Sequence, residues 1–168
     1  MKITCSKCGG DHEITELAWH FDAPAVWHEV TAEERELSTL TPDQCELVID
    51  GTLHYFIHAL LQIPVFGEKE PFVWGVWCSI SESSHLEICA MWDSPERTSI
   101  GPHFGWLCNR VPGYPDSLHL KTLVHQRGVG LRPTVELEGT THPLAVDQRN
   151  GISADRLADI VADMNHQS

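Results

Sequence analysis

The stretch "CELVIDGTLHYFIHALLQIPVFGEKEPFVWGVWCSI", residues 45–80, decides the fold. Two apolar runs meet at Asp50-Gly51, a pair that accepts the backbone of a tight hairpin turn. In the second run Leu53, Tyr55, Ile57, Ala59, Leu61 and Ile63 recur at every other position, the period of a strand with one buried face. His54, Phe56, His58 and Leu60 share the opposite face, and its half-apolar character predicts at least partial cover there too. A second alternation follows in Phe72, Trp74, Val76, Cys78 and Ile80. Opposite these, Gly75 leaves room for a close neighbour or a bulge. An antiparallel sheet satisfies all of these patterns.

Toward the N-terminus, Thr31 and Glu34 have the spacing of a capping box, so a short helix is expected before "LTPDQ" ends it. The preceding "ITELAWHFDAPAVWHEV" (14–30) reads as a short strand or irregular segment turned at Pro24, with Trp19, Phe21 and Trp27 anchoring it. Toward the C-terminus, "SSHLEICAMWD" (83–93) fits either period over so short a length, and a strand is predicted. Glycines and prolines in 101–137 set turns between "GWLCN", "LHLKTLVH" and "LRPTVEL". The run "GTTHPLAVDQRNG" (139–151) reads as a loop with one helical turn. Ser153 then caps a helix whose Leu157, Ile160, Val161 and Met164 would lie across the sheet. The expectation is one α+β domain over 1–168, with a mainly antiparallel sheet, a C-terminal packing helix and an N-terminal CxxC knuckle appended at 1–15.

Charge narrows the partners. Eleven Lys and Arg stand against 24 Asp and Glu, a net charge of −13, and no basic run offsets it. Phosphate backbones are repelled by such a field, so nucleic acid is not expected, whereas a basic protein surface is. No stretch approaches the 18 apolar residues of a membrane span, and no apolar core follows the start as in a secretory leader. Cys45, Cys78, Cys89 and Cys108 sit among apolar neighbours as small core residues rather than a disulfide framework. A soluble protein of the reducing cytoplasm is the expectation.

The chemistry-bearing motif is "CSKCGGDHE" (5–13). Two thiolates separated by two residues can wrap one ion, and His12 adds an imidazole, so Cys5, Cys8 and His12 form a candidate zinc set. Gly9 and Gly10 oppose the immediate helix that a thioredoxin-like dithiol uses. The fourth position divides two functions. Filled by Cys45, His54, His58 or a later histidine, the ion is structural; filled by water, it could serve a metal-dependent hydrolase with Asp11 or Glu13 as base. Elsewhere HExxH, GxSxG and the phosphate-binding glycine motifs are absent. A third reading places Trp74, Trp106 and Arg132 in one ligand groove that stacks a planar group, against the plainer reading of these residues as core and rim.

The words "EPFVWGVWCSIS" (70–81), "GPHFGWLCNRVPGYPDSLHLKTLVHQRGVGLRPTVEL" (101–137) and "HPLAVDQRNGI" (142–152) resemble a bacterial family of uncharacterised proteins, domain of unknown function 2199. The resemblance includes Cys5, Cys8, Gly9 and His12, and also Cys108 within "GWLCN". It implies a small single-domain bacterial protein beginning with a CxxC knuckle, and no particular activity. The leading expectation is therefore a zinc-binding protein-interaction module with a structural metal.

Overall fold

The computed structural model describes residues 2–4, 9–13 and 18–166. A two-stranded antiparallel ladder pairs β1 (Lys2–Thr4) with β2 (Asp11–Glu13). The remaining strands form one sheet: β3 (Ala18–His20), β4 (Thr39–Leu40), β5 (Gln44–Ile49), β6 (Thr52–Ile63), β7 (Phe72–Ile80), β8 (His103–Leu107), β9 (Lys121–His125) and β10 (Thr134–Leu137). Strands β6 to β10 pair in chain order and close on themselves, because β10 also lies beside β6 through Thr134 and Leu60. That closure is parallel, as is the pairing of β3 with β7; the other pairings between these strands are antiparallel.

The residues of 45–80 set this frame. Asp50 and Gly51 both have positive φ, 49° and 77°, the turn geometry that matches strand twist in a two-residue hairpin. The twelve-residue β6 pairs along one edge with β7 and along the other with β5 and then β10. Its inward side chains Ile57, Ala59, Leu61 and Ile63 meet Phe72, Trp74, Val76 and Cys78 of β7 in the main core. Each fully buried aliphatic side chain contributes about 1.5–3 kcal/mol.

The outer face of these strands is covered in part. Phe56 and Trp77 join Cys45 and Leu47 in a second apolar cluster, against which Val26, Trp27, Val30 and Leu40 pack from residues 21–40. Helix α1 (Ala32–Glu36) lies in this cover and carries the expected capping box: Thr31 Oγ1 accepts from Glu34 N–H at 3.2 Å, and Glu34 Oε2 accepts from Thr31 N–H at 3.0 Å.

Two expectations need correction. Residues 83–93 do not form a strand; α2 (Glu82–Ala90) begins at Ser81, whose hydroxyl accepts from Ser84 N–H. Strand alternation would bury Leu86 with Ile88, but Leu86 is exposed while His85 and Ile88, one turn apart, are buried. The 139–151 loop holds more than one helical turn, since α3 (Pro143–Asn150) runs eight residues. There His142 Nδ1 accepts from Leu144 N–H, Pro143 supplies a preset first φ, and Gly151 at φ 79° ends the helix. The C-terminal helix α4 (Ala154–His166) forms as expected, with Ser153 Oγ accepting from Arg156 N–H and Leu157 and Ile160 entering the main core. The fold is α+β with a barrel-centred sheet and helices at its C-terminal end. Among the described residues, no helix is long and apolar enough to cross a membrane.

Candidate functional site

The register builds a notch on the outer face. Phe56 of β6, Ser79 of β7, Trp106 of β8 and Lys121 of β9 are direct cross-strand partners in one row. Ser79 is the small member between two aromatic residues, so the row dips there. On one side of the dip a cleft of about 630 Å³ is walled by Phe56, Trp106 and Cys108, roofed by Ala25, Val26 and Glu29, and ends at Leu118 and His119. On the other side a cleft of about 830 Å³ runs past Leu53, Tyr55, Phe104 and the α2 residues Glu82 and Ser84. His54, Ser79 and Trp106 line both, so the two lobes meet at these residues.

The surroundings keep this surface open and apolar. The β8 sequence "HFGWL" buries His103, Gly105 and Leu107 and turns Phe104 and Trp106 outward at 49% and 39% exposure. Their rings meet edge-on at 5.2 Å, and Lys121 Nζ lies 6.0 Å from the Trp106 ring. Leu123, the β9 partner of Phe104, extends the strip. His119 holds φ 65°, an uncommon conformation for a residue with a side chain, fixed by its N–H donating to Leu107 O at 2.8 Å. The roof is stapled by Asn109, which accepts from Trp77 N–H at 2.7 Å and donates to Ala23 O at 3.0 Å, and by Ala25 N–H donating to Cys108 O.

The expected groove residues do not meet. Trp106 lines the two-lobed cleft, Trp74 is fully buried in the main core, and Arg132 lines a separate cavity beside His58. Arg132 is held there by Asp43 Oδ1, which accepts from its Nε at 2.9 Å. Spacing could not tell Trp74 from Trp106, because inward and outward positions alternate on each strand and both are aromatic.

Of the candidate zinc ligands, Cys5 and Cys8 lie outside the described residues, while His12 stands in β2 opposite Ile3. Asp11, a candidate base, accepts from Thr4 Oγ1 at 2.8 Å across the same ladder. Among the described residues, no group of three or more His, Cys, Asp or Glu side chains is arranged to hold a metal. Cys45, Cys78 and Cys108 are buried as expected, whereas Cys89 is exposed on α2. Burial pushes the Cys45 and Cys78 thiols up to about 12 and raises Cys108 as well, which keeps them protonated and weakly nucleophilic.

Residues that sequence spacing missed are Ser79, Phe104 and His119. Phe104 was legible in principle, since it alternates with Trp106 around Gly105. The role of Ser79 depends on the register of three strands, which no single segment contains.

The profile of the family described as "Uncharacterized protein conserved in bacteria (DUF2199)" matches residues 4–152, and the chain belongs to that family. No curated protein and no solved structure matches the chain.

Proposed function

We propose that this bacterial protein is a peptide-binding module that takes a short segment of a partner protein, apolar in the middle and basic at its ends, across the Trp106 ridge. The observation that carries the reading is the junction of two open lobes at one half-exposed tryptophan. An extended chain can occupy both lobes, with an apolar side chain over Ser79 and between Phe56 and Trp106. Glu29 lines one lobe and Glu82 the other, so cationic side chains of the segment would meet carboxylates at both ends. The net charge of −13 steers such a partner toward the surface. The four described thiols are unpaired, which suits the reducing cytoplasm.

The test is selection from a random peptide library followed by titration of the selected peptides. Basic peptides with a central apolar residue are expected, binding more weakly as salt rises. Trp106→Ala should weaken them by about 30-fold or more, the loss typical of a central tryptophan anchor. Peptides that bind Trp106→Ala and the wild type alike would sink the reading.

The N-terminal ladder favours a second, compatible reading, a structural zinc held by Cys5, Cys8, His12 and a fourth protein ligand. The chain leaves β1 at Thr4 and re-enters the ladder at its direct partner Asp11, with Gly9 at φ 68°. Thr4 and Asp11, which flank the CxxC segment, thereby stand side by side, a frame from which a short turn could wrap one ion. Protein purified without an affinity tag is expected to carry one zinc that Cys5→Ser removes; metal-free wild type would refute it.

A further inference from the structure

A second cavity, separate from the Trp106 cleft, gathers basic groups on this acidic protein. It encloses about 380 Å³ between the start of the covering segment and the outer face of the barrel. Its charged and titratable lining consists of His20, Asp22, His58 and Arg132, and its apolar lining includes Phe21 and Leu40. His58 is 4% exposed and stacks on Trp77 with ring centroids 4.8 Å apart. Its Nδ1 lies 2.8 Å from Pro42 O, an acceptor only, so Nδ1 carries a proton. Its Nε2 is buried with no hydrogen-bond partner among the described residues. A buried polar atom without a partner is disfavoured, and a ligand reaching it would relieve that cost.

The same short loop fixes both Arg132 and His58. Pro42 O accepts from His58 Nδ1 and, at 3.4 Å, from Arg132 Nη2, while Asp43 binds Arg132 by its carboxylate and the His58 N–H by its backbone carbonyl. The His20 ring meets the His58 ring edge-on at 5.6 Å. Gly75 makes that meeting possible, since a Cβ there would stand 2.0 Å from His20 Nδ1 and 2.7 Å from His58 Nε2. Asp43 is already engaged with Arg132, which leaves Asp22 as the other acid of the lining.

We propose that this cavity binds a small organic carboxylate together with a proton, the carboxylate oxygens accepting from Arg132 and from a His58 imidazolium while the apolar tail lies against Phe21 and Leu40. The proton passes from hydronium onto Nε2, forming its N–H bond and releasing water, and no other covalent bond changes. Burial holds His58 below the ordinary histidine range; the carbonyl of Pro42 opposes this, Arg132 and His20 add to it, and the Gly75 carbonyl opposes it. A bound carboxylate supplies the missing negative charge. Proton uptake and ligand uptake are then linked. The apolar walls and a volume larger than a bare oxyanion favour a carboxylate with a short alkyl tail over phosphate or sulfate.

Calorimetric titration with butyrate, acetate, phosphate and sulfate at several pH values tests this, alongside NMR of histidine-labelled protein. Butyrate is expected to bind more tightly than the other three and to lose about tenfold in affinity per pH unit above the His58 titration, the slope for one linked proton. The His58 ring signals of the wild-type protein should move to the imidazolium position on binding, a readout that needs no substitution. Arg132→Gln, at a partly exposed site, should weaken butyrate at least tenfold. Affinity that is flat with pH, phosphate binding as well as butyrate, no butyrate binding at all, or unchanged binding in Arg132→Gln would each overturn the proposal. Peptide binding at Trp106 does not enter any of these outcomes.

Discussion

Replacing Asn109 with Ala should cost this protein about 2–6 kcal/mol, and the figure follows from two hydrogen bonds. Asn109 is 2% exposed; its Oδ1 accepts from Trp77 N–H at 2.7 Å and its Nδ2 donates to Ala23 O at 3.0 Å. Trp77 sits where the edge of β7 is partnered by neither β3 nor β8, so the side-chain amide takes the place of a ladder bond. Alanine strands both backbone groups away from water, at about 1–3 kcal/mol each. With an m-value near 2 kcal/mol/M, a mid-range loss of about 4 kcal/mol moves the urea midpoint down by about 2 M. The roof over the Trp106 cleft should loosen as well, because Ala23 and Ala25 lose one of the bonds that dock them. Urea titration followed by circular dichroism measures the first effect and peptide affinity the second. A loss below about 1 kcal/mol would refute the reasoning, since it would mean that water or a backbone shift replaces both partners.

Ser117→Ala should cost about 1–3 kcal/mol by thermal or urea unfolding, because the fully buried Ser117 hydroxyl accepts from Val111 N–H and donates to Asn109 O in the neighbouring loop. Gly75→Ala should destabilise by about 1–3 kcal/mol, an overpacking cost, since the exposed His20 ring can swing aside but His58 is pinned between Pro42 and Trp77; stability equal to wild type would count against the packing described. Unfolding free energy against pH should fall off on both sides of a plateau. On the acid side the unfolded chain protonates His58 near the ordinary 6.5 before the folded chain does, so stability declines as pH drops through that value. On the alkaline side the unfolded chain ionises Cys45 and Cys78 near 9 while the folded thiols stay protonated to about 12, so stability declines across that interval. Removing His58 by His58→Gln should flatten the acid limb, and replacing both cysteines with Ala should flatten the alkaline one.

Legibility followed the length of each pattern. The alternations of 53–63 and 72–80 and the Asp50-Gly51 turn fixed the central hairpins, and Thr31 with Glu34 placed a helix start to the residue. Residues 83–93 mislead because six apolar positions in so short a run satisfy two periods at once; the serine cap that decides for a helix lies just outside the apolar run. Closure of the barrel was not legible at all. It rests on β10 meeting β6 some seventy residues earlier, and nothing in "PTVEL" names its partner. The candidate site shares that difficulty. Trp106 and Arg132 stand out in the sequence as large planar groups, but whether they meet depends on strand register and on the loop at 41–43, which holds Arg132 elsewhere.

Trp74 and Trp77 stand three residues apart on β7 and therefore look in opposite directions. Trp74 is sealed in the main core with no hydrogen-bond partner for its indole nitrogen among the described residues, while Trp77 lies in the outer cluster and donates from Nε1 to Phe21 O at 2.8 Å. One is a lamp inside the barrel and the other a lamp beneath its cover. With the other four tryptophans changed to phenylalanine, the Trp74 indole should emit at the shorter wavelength, and loss of the covering segment would shift Trp77, which loses its hydrogen bond to Phe21 O, more than Trp74, which loses the stacked Phe21 ring at 6.4 Å and keeps its barrel contacts. A single strand thus carries the optical means to ask whether the cover lifts before the barrel opens.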